Sequence, residues 1–375
     1  MLNLDFNEEQ DMLREMVQGI CAQYCPLDEV RRLEDDPIGV AADLWGQMGE
    51  LGIAGLMLPE SSGGSAMGLT EGMVVHEELG RSIAPVPHLV SCVLSAEAIT
   101  TSGCGHRESD LLSRLAAGTA IATPAWLEPG NGFGPLGVQV RAQPSGDGFL
   151  ITGTKMHVYF AAAAEMMLVL ARTGDDIDAV DIFLVSTDAP GVKLTQKMSI
   201  SSDSQYRVDF HDVEVGEVSR LGDAGTGWST WEAVMSRASI LAAAQAVGGA
   251  TQALEVTVEY AKTREQFDKP LGAFQSISHY LADAKTRLDG ARVLVHEAAW
   301  AADTGADLSR LAPMAKLTAC NVYRDITAMA QQVFGGVGFT VDYDIQLYFR
   351  RAKQLQLSWW DPRECENRIA AAILD

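Results

Sequence analysis

Along the chain the apolar positions change period twice, and those changes divide it. After Asn7, with Gln10 three residues on as in a reciprocal helix cap, Met12, Leu13, Met16, Val17, Ile20 and Cys21 recur at helical spacing. The same period continues through 44–58, halts at the Pro, Gly and Ser residues of LPESSGGSAMG, and resumes over 70–79. From Ile121 it gives way to short β-branched or alternating runs, 149–152, 166–171, 181–186, 191–194 and 206–213, separated by turn signals such as SGDG and TGDD. Beyond Gly225 and Gly227 a long helical pattern rich in Ala and Gly runs to Ala261, and three more helices are expected before the end. The class is therefore α+β: a helical domain over 1–120, a small β domain over 121–222, and a four-helix bundle over 223–375.

Composition narrows what such a chain can do. Its 375 residues and 47% hydrophobic content suffice for two or three packed units. Against 28 Lys and Arg stand 50 Asp and Glu, and the resulting charge of −22 repels nucleic-acid phosphates, so DNA or RNA binding is not expected. Any phosphate-bearing ligand meets the same repulsion at long range, and a site for one must gather its cations locally. Cys21, Cys25, Cys92, Cys104, Cys320 and Cys365 show no paired CxxC spacing with histidines, so neither a zinc site nor a disulfide framework is written here. The opening MLNLDFNEEQ has no basic flank before an apolar run, and no stretch reaches the roughly 18 uninterrupted apolar residues of a membrane span. A soluble, reduced, cytoplasmic protein with no membrane partner is expected. A G-x-G-x-x-G element between a strand and a helix is absent, which argues against a nicotinamide site, and Gly130, Gly132 and Gly134 suggest only a flexible loop.

The stretch 260–283, YAKTREQFDKPLGAFQSISHYLAD, carries the most chemistry. It closes one helix at Arg264, turns through Pro270 and Gly272, and enters another at Phe274 and Gln275. A guanidinium at a helix end, followed by the amide of Gln266 and the ring of Phe267, suits a planar phosphate-bearing ligand, because Arg grips pyrophosphate oxygens bidentately. The string resembles the flavin-contacting hairpin of the acyl-CoA dehydrogenase family: Tyr, Ala, three residues to Arg, Gln-Phe, then Phe-Gln and Leu-Ala-Asp. LWGQMGELGIAGLMLPESSGG and the later EELGR are similar to the amino-terminal domain of the same family, and the likeness spans nearly the whole chain. It implies the family's N-terminal helical domain, middle β-barrel-like domain and C-terminal four-helix bundle. It also implies FAD as cofactor, an acyl-CoA thioester as substrate and an electron-transferring flavoprotein as electron acceptor. By the same resemblance, Arg264 holds the FAD pyrophosphate of a neighbouring subunit. Gln266, Phe267, Phe274, Gln275 and the run Gln332, Val333, Phe334, Gly335, Gly336 belong to that cross-subunit half of the site.

Elsewhere the chain departs from the family. The family's Thr-Glu-Pro and Gly-x-Gly-Ser become Leu127-Glu128-Pro129 and Gly130-Asn131-Gly132-Phe133, and its Trp-Ile-Thr becomes His157-Val158-Tyr159. A flavin ring buried against Leu127 and Phe133 would keep unpaired polar edges, at about 1 to 3 kcal/mol each. Counting on from Arg350-Arg351-Ala352-Lys353, the family's catalytic Glu falls on Trp359, and the alternative position before Arg237 is Ser236. Tryptophan cannot be a general base, so no catalytic residue is assigned, and Trp359 with Trp360 is expected to fill the acyl cavity. The resemblance thus implies the base-less subunit of a heteromeric, heterotetrameric acyl-CoA dehydrogenase like the bacterial enzymes that act on steroid side chains. A second acyl-CoA dehydrogenase subunit would bring the catalytic Glu and the flavin ring. Two readings stay open beside it: a self-sufficient homo-oligomeric flavoenzyme using Asp361 or Glu364 as base, and a scaffold of the same fold that binds no flavin.

Overall fold

A computed structural model of the chain describes residues 6–374, and these divide into two compact units. One joins Arg31–Met67 to Pro85–Ala238. Its centre is an eight-stranded sheet made of β1 (Ala122–Ala125), β2 (Arg141–Ser145), β3 (Gly148–Tyr159), β4 (Met166–Arg172), β5 (Val180–Ser186), β6 (Val192–Lys197), β7 (Gln205–Gly216) and β8 (Arg220–Leu221). The order is β6-β7-β3-β2-β4-β5-β8, with β1 parallel to β4. Alternating residues of β3 and β7, among them Ile151, Val158, Val208, Phe210 and Val213, meet Met167, Val169, Phe183 and Val185 in a single apolar core.

The five runs expected as strands are β3 to β7, with β4 and β5 close to their expected bounds and β3 running on to Tyr159, far beyond the expected end at Thr152. Three strands were not expected, and each hides for its own reason: β1 is four buried residues without alternation, β2 carries Pro144 among polar residues, and β8 has two residues. The helical run expected over 44–58 stops early. The helix is Ala42–Glu50, and Gly52 in the left-handed region at φ 74° turns the chain into a series of tight turns.

The second unit draws on Met1–Val30, Gly68–Ala84 and Ser239–Asp375. Its first helix, Glu8–Tyr24, has the expected reciprocal cap, with Gln10 N donating to Asn7 Oδ1 at 2.8 Å and Asn7 N to Gln10 Oε1 at 3.1 Å. Its buried stripe is narrower than the pattern implied: Val17, Ile20 and Cys21 are buried, whereas Met12 and Met16 face outward. The Leu69–Arg81 helix is capped from afar, with the Asp303 carboxylate accepting from Leu69 N and Thr70 N. Gly248 shows why the long Gly227–Thr263 helix is rich in small residues, since a Cβ there would sit 1.8 Å from the Glu77 carbonyl oxygen. After that helix come Gln275–Asp303, Leu311–Phe334, Ile345–Leu357 and Pro362–Leu374, one more than expected, because the chain breaks at Trp359 and Trp360. Among the described residues no helix is long and apolar enough to cross a membrane. All six cysteines are free and buried.

Candidate functional site

In the second unit the hairpin tip is built by a strained turn. The two-residue strands β9 (Glu265–Gln266) and β10 (Lys269–Pro270) pair antiparallel around Phe267 and Asp268, both left-handed at φ 54° and 61°. Such turns favour Asn-Gly, because a side chain in that region is strained. Phe267 is nevertheless 86% exposed, so its ring contributes little to its own fold. It meets Phe274 edge-on at 6.2 Å, and Lys269 Nζ lies 4.1 Å over the Phe274 ring. Tyr260 stacks on Phe334 at 4.1 Å and so ties the end of its helix to the end of Leu311–Phe334, which sets the Gln332–Gly336 run beside the hairpin.

Of the sequence-derived site residues, Arg264, Gln266, Phe267, Gln275, Gln332 and Gly336 are exposed, and Phe274 and Gly335 are half-buried. Val333 and Phe334 point into the core instead. Gln266 Nε2 donates locally to Glu265 O at 2.8 Å. The side chains of Arg264, Gln275 and Gln332 have neither hydrogen-bond nor ion-pair partner among the described residues.

In the first unit, the loop from Leu127 to Val140 is held by two buried charges of opposite sign. Glu128 accepts from Gln139 N at 2.8 Å, Val140 N at 2.9 Å, Lys155 Nζ at 2.7 Å and Asn131 Nδ2 at 3.2 Å. Lys155 is fully buried and also donates to Trp126 O at 3.1 Å. Burial pulls its pKa down to about 8, the Glu128 carboxylate offsetting part of that. Arg172 is buried and donates to the carbonyls of Val138, Pro135 and Asp176. The loop that carries the glycines at 130, 132 and 134 is therefore anchored at its ends, at Glu128 and Val140. A Cβ at Gly137 would even lie 2.1 Å from Gly132 O. Phe133 packs on Trp126 at 5.8 Å, and Trp126 on Trp231 at 5.3 Å, so this wall is firm and apolar.

The positions tested for a base are all otherwise engaged. Trp359 and Trp360 are 6% and 2% exposed, at φ 58° and 90°. Arg368 covers the Trp360 ring at 3.9 Å, and the buried Lys316 donates to Leu355 O at 2.8 Å and Trp360 O at 3.3 Å. Asp361 caps the last helix by accepting from Glu364 N at 2.8 Å, and Glu364 pairs with Arg368 at 2.8 Å. In the first unit Ser236 Oγ donates to Glu232 O at 3.0 Å. Beside it Arg237 is ion-paired with Glu97, a carboxylate the sequence did not single out, whose pKa burial raises against the pull of that Arg.

Comparison with known proteins places this arrangement. The N-terminal, middle and C-terminal domain families of acyl-CoA dehydrogenases match residues 7–119, 124–213 and 225–358. The probable acyl-CoA dehydrogenase YngJ of Bacillus subtilis is 31% identical over 366 residues, 95% of each chain. The chain belongs to the acyl-CoA dehydrogenase family. Its fold is that family's, as expected: the ChsE4-ChsE5 complex from Mycobacterium tuberculosis superposes with a TM-score of 0.91 at 27% identity, over 100% of this chain and 99% of that one. The Tcur3481-Tcur3483 steroid ACAD gives 0.87 at 31% identity, over 98% of each. As an acyl-CoA dehydrogenase family member the chain is of an oxidoreductase lineage.

Proposed function

We propose that this chain is the subunit without a catalytic base in a heteromeric, FAD-dependent acyl-CoA dehydrogenase that introduces a double bond next to an acyl-CoA thioester. The observation that carries this reading is the hairpin tip, where Arg264, Gln275 and Gln332 lack partners and Phe267 is exposed on a strained turn. Such groups have chemistry to offer outward and none inward. A guanidinium, two amides and an aromatic ring fit a pyrophosphate and a flat heterocycle, which is what FAD presents. Arg264 would hold the pyrophosphate, with Gln266, Phe267, Phe274, Gln275 and the backbone of Gln332 to Gly336 around it. When bound, FAD supplies the hydride acceptor.

The partner, a second acyl-CoA dehydrogenase subunit in a heterotetramer, brings the Glu that takes the proton. One structural relative is a two-protein complex and the other a steroid enzyme, which supports this choice and makes a steroid side-chain CoA ester the acyl class to assay first. Division at 120 and 222 into helical, β and bundle domains, a cytoplasmic location, and delivery of electrons to an electron-transferring flavoprotein belong to the same proposal. The self-sufficient alternative needs Asp361 or Glu364 as base, and both already have structural partners.

Purifying the chain alone and with a co-expressed partner tests the proposal by visible absorbance. Flavin colour and acyl-CoA turnover only in the complex support it. Turnover of any acyl-CoA by the isolated chain would overturn it, and a complex that stays colourless would do the same.

A further inference from the structure

In the second unit the helices Glu8–Tyr24, Leu69–Arg81, Gly227–Thr263 and Gln275–Asp303 surround a cavity of about 510 Å³, a size that suits a small molecule. Its wall is rich in charge, and nearly all of that charge is matched. Arg14 donates to Glu77 Oε2 at 3.3 Å, and Arg292 donates to Glu77 Oε1 at 3.0 Å and to Thr251 Oγ1 at 2.8 Å. Arg81 holds Glu255 with both arms of its guanidinium, and Lys285 holds Asp289 at 2.5 and 2.7 Å. Each of these four lining cations therefore has its carboxylate.

One carboxylate is left over. Glu78 lines the same cavity and is 7% exposed, yet its side chain accepts no hydrogen bond among the described residues. Its Oε2 is buried without a partner, and its Oε1 has only Arg14 Nε at 3.7 Å, beyond hydrogen-bond range. Burial raises its pKa, and the charge of Arg81 offsets part of that. A buried carboxylate in this condition costs the fold stability, so what the cavity lacks is a donor. On the Glu8–Tyr24 helix the exposed amide of Gln18 also lines the cavity, and it too has no hydrogen-bond partner among the described residues. An ammonium carries three N–H donors together with the charge that a carboxylate needs, and the chain's charge of −22 favours its approach. The buried Leu254 and Leu288 offer an aliphatic body a surface to lie against.

We propose that this cavity is a binding site for a small primary amine, whose ammonium donates to Glu78 and Gln18 while its carbon body lies against Leu254 and Leu288. The site shares no residue with the hairpin tip or with the loop from Leu127 to Val140. It does not depend on the heteromeric reading, since none of its groups has a part in flavin or thioester chemistry.

Calorimetry on the full chain at about pH 7, where an alkylamine is protonated, compares hexylamine with hexanol, which has the same carbon chain and no charge. The amine is expected to bind about 10-fold or more tighter, as for a hydrogen bond to a buried charged group, and Glu78→Gln removes that preference while leaving the affinity for hexanol unchanged. Equal binding of the two probes overturns the proposal. So does a preference that survives Glu78→Gln, because the chain's overall charge then accounts for it. Without ligand, Glu78→Gln is expected to melt no lower than the wild type, since a neutral amide is cheaper to bury than a carboxylate without donors. A variant that melts far lower, or does not fold, shows that the fold itself holds the carboxylate and overturns the proposal as well. Crystals of the wild type soaked in hexylamine give a check that needs no variant: the amine nitrogen is expected within hydrogen-bond distance of the Glu78 carboxylate, and a water that keeps that place refutes the site. These readouts need no partner subunit, flavin or turnover, so they can fail while the heteromeric reading stands.

Discussion

Replacing Lys155 by Met is the sharpest probe of how the loop from Leu127 to Val140 is held. Lys155→Met keeps the length of the side chain but removes a fully buried ammonium that lies 2.7 Å from Glu128 Oε1 and 3.1 Å from Trp126 O. Glu128, itself 8% exposed, would keep its bonds from Gln139 N and Val140 N, yet its charge would be buried without a counter-ion. Breaking a buried pair from one side costs about 3 to 5 kcal/mol, mostly through the charge left behind. Lys155→Met with Glu128→Gln removes both charges, and should recover more than half of that loss because a neutral amide is far cheaper to bury. Denaturant unfolding of the wild type, both single variants and the double variant closes the cycle.

The pH dependence gives an independent reading of the same pair. Because the folded pKa of Lys155 lies at about 8, below the 10.5 of an ordinary lysine, the unfolded chain holds this proton more tightly between those values. The group's contribution is full above 10.5 and is lost as the pH falls through 8. Wild type should therefore gain stability relative to Lys155→Met as the pH rises through that window. A loss in Lys155→Met below about 1 kcal/mol, the size of an exposed pair, together with parallel pH profiles, would refute the claim that these charges hold the loop.

Three further outcomes are expected. His88 is buried against Ile53 O at 3.1 Å with its pKa pushed down to about 4 by burial, so stability should fall as the pH drops from 6.5 through 4, and His88→Gln should flatten that part of a thermal-melting profile. Arg264→Ala in the assembled complex should weaken flavin retention by about 10- to 150-fold, the equivalent of a charge-assisted contact of about 1.5 to 3 kcal/mol, as read by flavin content after dialysis; unchanged content counts against the cross-subunit role. Trp359→Glu should lower the melting temperature and yield no dehydrogenation, because a carboxylate placed at that buried position is desolvated while Leu127 and Phe133 still offer the ring no donor; any gain of turnover in the isolated variant contradicts this.

What could be read from the sequence was whatever is local. The Asn7 and Gln10 cap involves residues three apart, and the strands β3 to β7 announce themselves by alternation, so both were legible. The hairpin tip was legible as well, because its residues lie within one short string. Pairings across long separations were not. Glu128 and Lys155 are 27 residues apart, and the bulge after Lys155 breaks the alternation that would have marked it as an inward lysine in a strand. Arg172 likewise reads as the polar end of an apolar run, although its guanidinium is buried under loop carbonyls. Val333 and Phe334 were grouped with exposed neighbours by motif, whereas the helical phase turns them inward, a distinction that residue-by-residue matching cannot make.

Two segments of the chain keep their backbone shape at some cost. Two consecutive bulky residues in left-handed conformations, Trp359 and Trp360, are each unfavourable by about 1 to 3 kcal/mol, and such strain persists only where the surroundings over-determine it. Here they do: Lys316 holds the carbonyls on either side of the turn, Arg368 covers a ring, and Asp361 caps the helix that follows. The loop from Leu127 to Val140 is likewise fixed, by Glu128 and Arg172 from opposite sides. A chain under no demand beyond folding could relax both by ordinary substitution, with glycine at the turn and a neutral residue in the loop. That it keeps strained frames, while the side chains of Arg264, Gln275 and Gln332 stay unengaged at the tip, supports the proposed role in which the shape serves a second subunit and the free groups serve its cofactor.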